Sequence, residues 1–155
     1  MTAGYRALGE GAALIDLSER GKIRVTGEDR VRLLHALTTN HIEQLRPGEG
    51  CYALLLNAQG RMLADLNVLC FEDHLLLDTE PETREKVRSH LDRYIIADDV
   101  TLEDLTAALA TLALEGPKSQ EILGKLGAPA PQAPQATAAW AGRLVARLSA
   151  TGAEG

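Results

Sequence analysis

Cys51-Tyr52-Ala53-Leu54-Leu55-Leu56-Asn57-Ala58-Gln59-Gly60-Arg61-Met62-Leu63-Ala64-Asp65-Leu66-Asn67-Val68-Leu69-Cys70-Phe71 reads as two strands joined by a tight reversal. Both apolar runs are too short for buried helices and are bounded by turn residues. Asn57 and Gly60 tolerate the backbone conformations that a reversal needs. Glu72-Asp73-His74 then turns the chain again, and Leu75 to Leu77 supply a third strand. Period and turn chemistry together predict a three-stranded antiparallel meander.

Working outward toward the N-terminus, Lys22-Ile23-Arg24-Val25-Thr26 alternates strictly, as a half-buried strand does. Gly27-Glu28-Asp29 opens an amphipathic helix whose stripe is Val31, Leu33, Leu34 and Leu37, with its acids in the first turn. That helix ends near Thr38-Thr39-Asn40, and Leu45 to Gly50 has the composition of a turn. Ala12 to Leu17 is a further short apolar run.

Toward the C-terminus, Thr79-Glu80-Pro81-Glu82 reads as a helix start capped by Thr79, continuing through Val87, Leu91 and Tyr94. Ile95-Ile96 and Val100-Thr101-Leu102 are strand-like pairs around Asp98-Asp99. Ala107 to Leu114 reads as a strand ended by Glu115-Gly116-Pro117, and Lys118 to Leu126 as a helix. Gly127 to Ala138, rich in Pro, Ala and Gln, reads as a linker or exposed loop. Arg143 to Leu148 is a final strand with nothing after it to pair or cap it. The predicted class is α+β, a mostly antiparallel sheet with flanking helices. The expected organisation is a domain over residues 1–126, a loop over 127–138, and the start of a second half over 139–155.

A net charge of -6 excludes a general nucleic-acid binder, which needs clustered cations to neutralise phosphates. No apolar run approaches the ~20 residues that span a bilayer. Met1 to Glu10 has neither a basic nor an apolar signal region, so the cytoplasm is the expected location. Cys51 and Cys70 are expected to be reduced and buried. The histidines His35, His41, His74 and His90 are scattered without ligand spacing, and each reads as structural or solvated. No phosphate cradle or nucleophile elbow is present.

Carboxylates remain. Asp65 sits inside the apolar strand Met62 to Leu66, where period two puts it on the face of Leu63, opposite Ala64 and Leu66. It is either a wet-face acid or an acid held in a pocket. In a pocket it could bind the ring N–H groups of a polar heterocycle, or act as an acid or base. Asp78, at the end of the third strand, reads as a turn or helix-cap acid.

At this point a family resemblance enters. Leu14 to Ser18, Val25 to Asp29, Leu37 to Asn40, Leu45 to Gly48, Asn57 to Arg61 and Ala113 to Ser119 follow one another with a familiar order and spacing. In both respects they are similar to the N-terminal domain of the YgfZ and glycine-cleavage T-protein (GcvT) superfamily. The resemblance covers almost the whole chain. It implies a truncated folate-binding domain that lacks the second half of a folate cradle, with tetrahydrofolate or a derivative as the ligand. It assigns folate contacts to Asp65, Asp78 and Glu154, and no catalytic or metal residue. Asp65 falls on the acid that orients folate in the T-protein. Asp78 falls on its folate-contacting Asn. The T-protein's terminal Glu falls on Ala153, beside Glu154.

Departures from the T-protein pattern favour the YgfZ-like branch, a non-enzymatic accessory to iron–sulfur cluster assembly and repair. Arg61 replaces a Gly, Ala64 replaces an Asp, and Ser18-Glu19-Arg20-Gly21 replaces Ser-His-Met-Gly. Gly50-Cys51-Tyr52 is not the signature of that branch, and Cys51 is given no role. The alternatives are an aminomethyltransferase, which moves a one-carbon unit to tetrahydrofolate, and a truncated domain that binds nothing. The implied partners are a folate and iron–sulfur assembly proteins. An edge exposed by truncation would invite homo-oligomerisation.

Overall fold

The computed structural model describes residues 3–152. In chain order it forms α1 (Ala3–Glu10), β1 (Ala13–Asp16), β2 (Gly21–Thr26), α2 (Arg30–Leu37), β3 (Gly50–Leu56), β4 (Met62–Cys70) and β5 (Leu75–Thr79). Then follow α3 (Arg84–Asp92), β6 (Thr101–Asp104), β7 (Leu112–Glu115), α4 (Ser119–Lys125), β8 (Thr137–Trp140) and β9 (Arg143–Ala146). Every strand pair is antiparallel. The α+β class with mostly antiparallel sheet is therefore as the sequence predicts. The chain divides into two compact units, residues 19–109 and residues 3–18 with 110–152. No helix among the described residues is long and apolar enough to cross a membrane.

Residues 19–109 form a five-stranded sheet in the order β3-β4-β5-β2-β6. The predicted meander supplies β3, β4 and β5. β2 joins beside β5, with Ile23 opposite Leu77 and Val25 opposite Leu75. On one face Ile23, Val25, Leu55, Leu66, Val68, Leu75 and Leu77 are all at most 1% exposed. They share a single core with Leu33 and Leu34 of α2 and Val87 and Leu91 of α3. Burying each such Leu or Ile contributes about 1.5–3 kcal/mol, so this face holds the unit together.

The other unit pairs β1 with β7 and β8 with β9. Its buried anchor is Glu115, 1% exposed at the end of β7. Its carboxylate accepts hydrogen bonds from the Ala150 amide at 2.6 Å, the Thr151 amide at 3.2 Å, and the Thr151 and Ser149 hydroxyls. A buried carboxylate is tolerated when several donors surround it.

Several local expectations change. Residues 137 and 138, expected to be loop, begin β8, and the last strand does have a partner. Ala141 and Gly142, at φ of 47° and 74°, make the two-residue turn of a β8–β9 hairpin. Lacking the usual Asn-Gly or Asp-Gly, this turn is silent in the sequence. Residues Ala3–Glu10 form a helix where none was expected. Ile95 and Ile96 are not strand: Ile95 packs on the core, while Ile96 is exposed. Residues 107–111, expected to be strand, are not: β7 begins only at Leu112.

Two helix starts also differ. α2 has no acid in its first turn, because Asp29 precedes it and turns to a neighbouring loop. Asp29 Oδ2 accepts from the Asp99 amide at 2.9 Å, and Asp99 Oδ2 accepts from the Glu28 amide at 3.0 Å. Gly27 permits this approach: at φ +102° a Cβ there would meet the Asp99 carbonyl oxygen at 2.0 Å. Thr79 is a strand residue rather than a cap. Its hydroxyl donates to the Asp65 carbonyl at 2.9 Å and pairs with the Thr83 hydroxyl at 2.7 Å.

Candidate functional site

The second face of the five-stranded sheet carries the polar side chains. Strand parity puts Leu63, Asp65 and Asn67 of β4 there, opposite the buried Ala64, Leu66 and Val68. Cross-strand register then gathers the neighbours. Tyr52 of β3 faces Asn67, Asn67 faces Asp78 of β5, and Asp78 faces Lys22 of β2. The parity of Asp65 is as the sequence predicts.

Asp78 is not a turn or cap acid. It lies within β5, 9% exposed, and its carboxylate is held by three donors. Arg20 Nε donates to Oδ1 at 2.9 Å and Arg20 Nη2 to Oδ2 at 2.8 Å, the two-pronged geometry that suits guanidinium and carboxylate. Asn67 Nδ2 donates to Oδ2 at 3.0 Å. Bonding to Asp78, reinforced by Glu80, pushes the Arg20 guanidinium further above its ordinary range, so it stays charged. Lys22, also buried, donates its ammonium to the Arg20 carbonyl at 2.9 Å.

Asp65 is held less tightly. Tyr52 donates its hydroxyl to Asp65 Oδ2 at 3.1 Å, and Asp65 Oδ1 accepts no hydrogen bond among the described residues. Desolvation, then the bond to Asp65, raises the Tyr52 phenol above its ordinary value. The phenol therefore remains a donor at neutral pH. The arrangement is one half-exposed carboxylate with open acceptor capacity, beside a second carboxylate that is already engaged. Such a face can accept paired N–H donors from a planar heterocycle.

Sequence reasoning named Asp65 and Asp78 but missed Tyr52, Asn67 and Arg20. Tyr52 and Asn67 were legible as wet-face positions by alternation; their meeting with Asp65 and Asp78 needed the strand register. Glu154 lies outside the described residues. Of the two cysteines, Cys70 is buried and Cys51 half-buried, both are free, and burial raises both thiols.

A cavity of about 400 Å³ lies on this unit between the Asn57–Gln59 turn, Leu63 and the end of α3. His90 lines it. That side chain, expected to be structural or solvated, is 9% exposed, and its Nε2 has no hydrogen-bond partner among the described residues. An orphaned buried nitrogen of this kind costs about 1–3 kcal/mol.

Similarity to known proteins points one way. A chloroplastic protein of Arabidopsis thaliana named as a transferase is 36% identical over 77% of this chain and 28% of its own length. The aminomethyltransferase of Chloroherpeton thalassium is 33% identical over 79% of this chain and 34% of its own. The crystal structure of the glycine cleavage system aminomethyltransferase T from Bartonella henselae superposes with a TM-score of 0.70 at 23% identity. That match covers 81% of this chain and 35% of the other, and shares its fold. The chain thus spans about a third of the length of these relatives. Residues 1–151 match the family described as the GCVT N-terminal domain, and the chain belongs to that family.

Proposed function

We propose that this chain is the tetrahydrofolate-binding portion of an aminomethyltransferase-type protein, with Asp65 as the residue that meets the pterin. The carrying observation is the Tyr52–Asp65 pair, a carboxylate with one oxygen fixed at 3.1 Å and the other open on a polar sheet face. Asp78 keeps its neighbour Asn67 oriented and is itself locked by Arg20. Glu154 is proposed as a further acidic contact, on the resemblance alone. These residues fit the ligand, since a pterin presents adjacent ring N–H donors that a carboxylate can accept together. When bound, tetrahydrofolate supplies the nitrogen that receives a one-carbon unit. Asp65 would bind and orient the ring, and orientation can lower a transfer barrier substantially.

Curated relatives named aminomethyltransferase support this reading over the iron–sulfur accessory role. One observation favours the accessory role as a second reading. Ala64 occupies the place of a T-protein Asp and lies on the core face, 3% exposed, where an unpaired carboxylate would be costly.

Calorimetric titration with tetrahydrofolate tests the first reading. Saturable binding that weakens in Asp65→Asn is the expected result, and no heat at millimolar folate removes it. In the full-length protein, folate binding without one-carbon transfer would select the accessory role.

A further inference from the structure

The hydrogen bonds on the polar sheet face have a direction. Tyr52 turns its hydroxyl to Asp65 Oδ2, and Asn67 turns Nδ2 to Asp78 Oδ2. Asp78 decides which way the Asn67 amide lies. An ionised carboxylate only accepts, so it takes the amide nitrogen and refuses the amide oxygen. Arg20 bonds both Asp78 oxygens, at 2.9 and 2.8 Å, and holds that carboxylate in place.

Asn67 Oδ1 is the end left over. It accepts no hydrogen bond among the described residues, yet it keeps accessible surface: the buried side-chain atoms without a partner belong to Arg24, Arg30, His35 and His90. Asp65 Oδ1 is open in the same way. The two residues stand two apart on the same face of β4, roughly 6.5 Å along the strand. This part of the face therefore presents a carboxylate oxygen and an amide oxygen, both acceptors. A ring that gives N–H donors to Asp65 and carries only lone pairs elsewhere would set acceptor against acceptor at Asn67. A ring with a further N–H would bond both residues. Sites built to bond an N–H reject analogues that lack it, because the site's own polar group is then left unpaired.

We propose that Asn67 is a specificity-determining residue of the folate site, its outward Oδ1 fixed by the Asp78–Arg20 pair and accepting a ring N–H that tetrahydropterins carry and oxidised pterins lack. The tetrahydro ring bears hydrogen on N5 and N8, whereas in the oxidised ring both nitrogens offer lone pairs. The inference rests on the folate reading of the Asp65 face and adds a second acceptor to it. Asp65 takes donors common to both ring forms, so it binds without discriminating; Asn67 discriminates. Asp78 and Arg20 act through Asn67 as positioning residues.

The test is anaerobic calorimetric titration of this chain with tetrahydrofolate and with folic acid. Both carry the same benzoylglutamate tail, so the ratio of their affinities isolates the ring. Tetrahydrofolate should bind at least about tenfold more tightly. Asn67→Val removes the acceptor and should narrow that preference to about threefold or less. Asp78→Asn gives Asn67 a neighbour that can donate, so the Asn67 amide can turn its nitrogen outward. The preference should then vanish or invert. A merely structural role would weaken both ligands alike and leave the ratio unchanged. A preference kept in either folded variant overturns the proposal, as does equal binding of the two folates to the unaltered chain. If Asp78→Asn fails to fold, Asn67→Val decides alone. Binding of neither folate removes the folate reading and this inference together. Tetrahydrofolate binding that weakens in Asp65→Asn but keeps its preference in Asn67→Val removes this inference only.

Discussion

The two faces of the five-stranded sheet are built by the same strands and differ in nearly everything else. On one, Leu66, Val68 and Leu77 are at most 1% exposed and belong to a single apolar core. On the other, Asp65, Asn67 and Asp78 alternate with those residues and form two hydrogen-bonded groups, Tyr52 with Asp65 and Asn67 with Asp78 and Arg20. The difference teaches that stability and recognition here are separated by one backbone step. A slip of one residue in register would exchange the faces, so the core fixes the site as firmly as the site's own bonds do.

The strongest way to break this comparison is to put a charge on the core face. Leu77→Asp is expected to leave no cooperative unfolding transition by circular dichroism, and the milder Leu77→Ala should cost about 2–5 kcal/mol in chemical denaturation. Next comes the buried pair on the polar face. Arg20→Met strips Asp78 of two hydrogen bonds and should cost about 1–3 kcal/mol. Adding Asp78→Leu to that variant should recover much of the loss, because the charge left alone disappears too. If the double variant is no better than Arg20→Met, Asp78 was not the source of the cost.

Smaller effects sharpen the contrast. Asp65→Asn should change stability by no more than about 0.5 kcal/mol, as for surface substitutions, while weakening tetrahydrofolate binding. A large loss of stability would return Asp65 to the structural side of the sheet. The smallest effect is a pH dependence. The folded-state value of Tyr52 is raised above its ordinary value of 10.0, so its contribution is fully present below pH 10. It is lost as pH rises through the folded value. Ultraviolet titration should find Tyr52 ionising late, and in Asp65→Asn earlier but still late, because desolvation outweighs the lost bond.

Alternation made the faces legible in the sequence. Lys22 to Thr26 and Met62 to Leu66 announced which residues turn inward, and the Asn57 turn announced how their strands connect. The two groups themselves were not legible, because Tyr52 meets Asp65, and Asn67 meets Asp78, only through the pairing of three strands. Arg20 lies before its strand, where no periodicity points at it. His90 was masked by its charged helix: Arg88, Asp92 and Arg93 are exposed while His90 turns inward with Val87 and Leu91. The β8–β9 hairpin escaped because its turn residues, Ala141 and Gly142, resemble the small-residue loop before them.

Glu115 acts as a clasp without a covalent bond. Its carboxylate gathers residues 34 to 36 positions further on, which closes the intervening chain into a ring much as a cystine would. The length of such a ring matters little to its closure, since doubling it costs only about 0.6 kcal/mol. The irregular stretch 128–136 can therefore lengthen or shorten with small consequence. The spacing from β9 to Ser149 cannot, because one residue more or fewer there would present the wrong donors to the clasp.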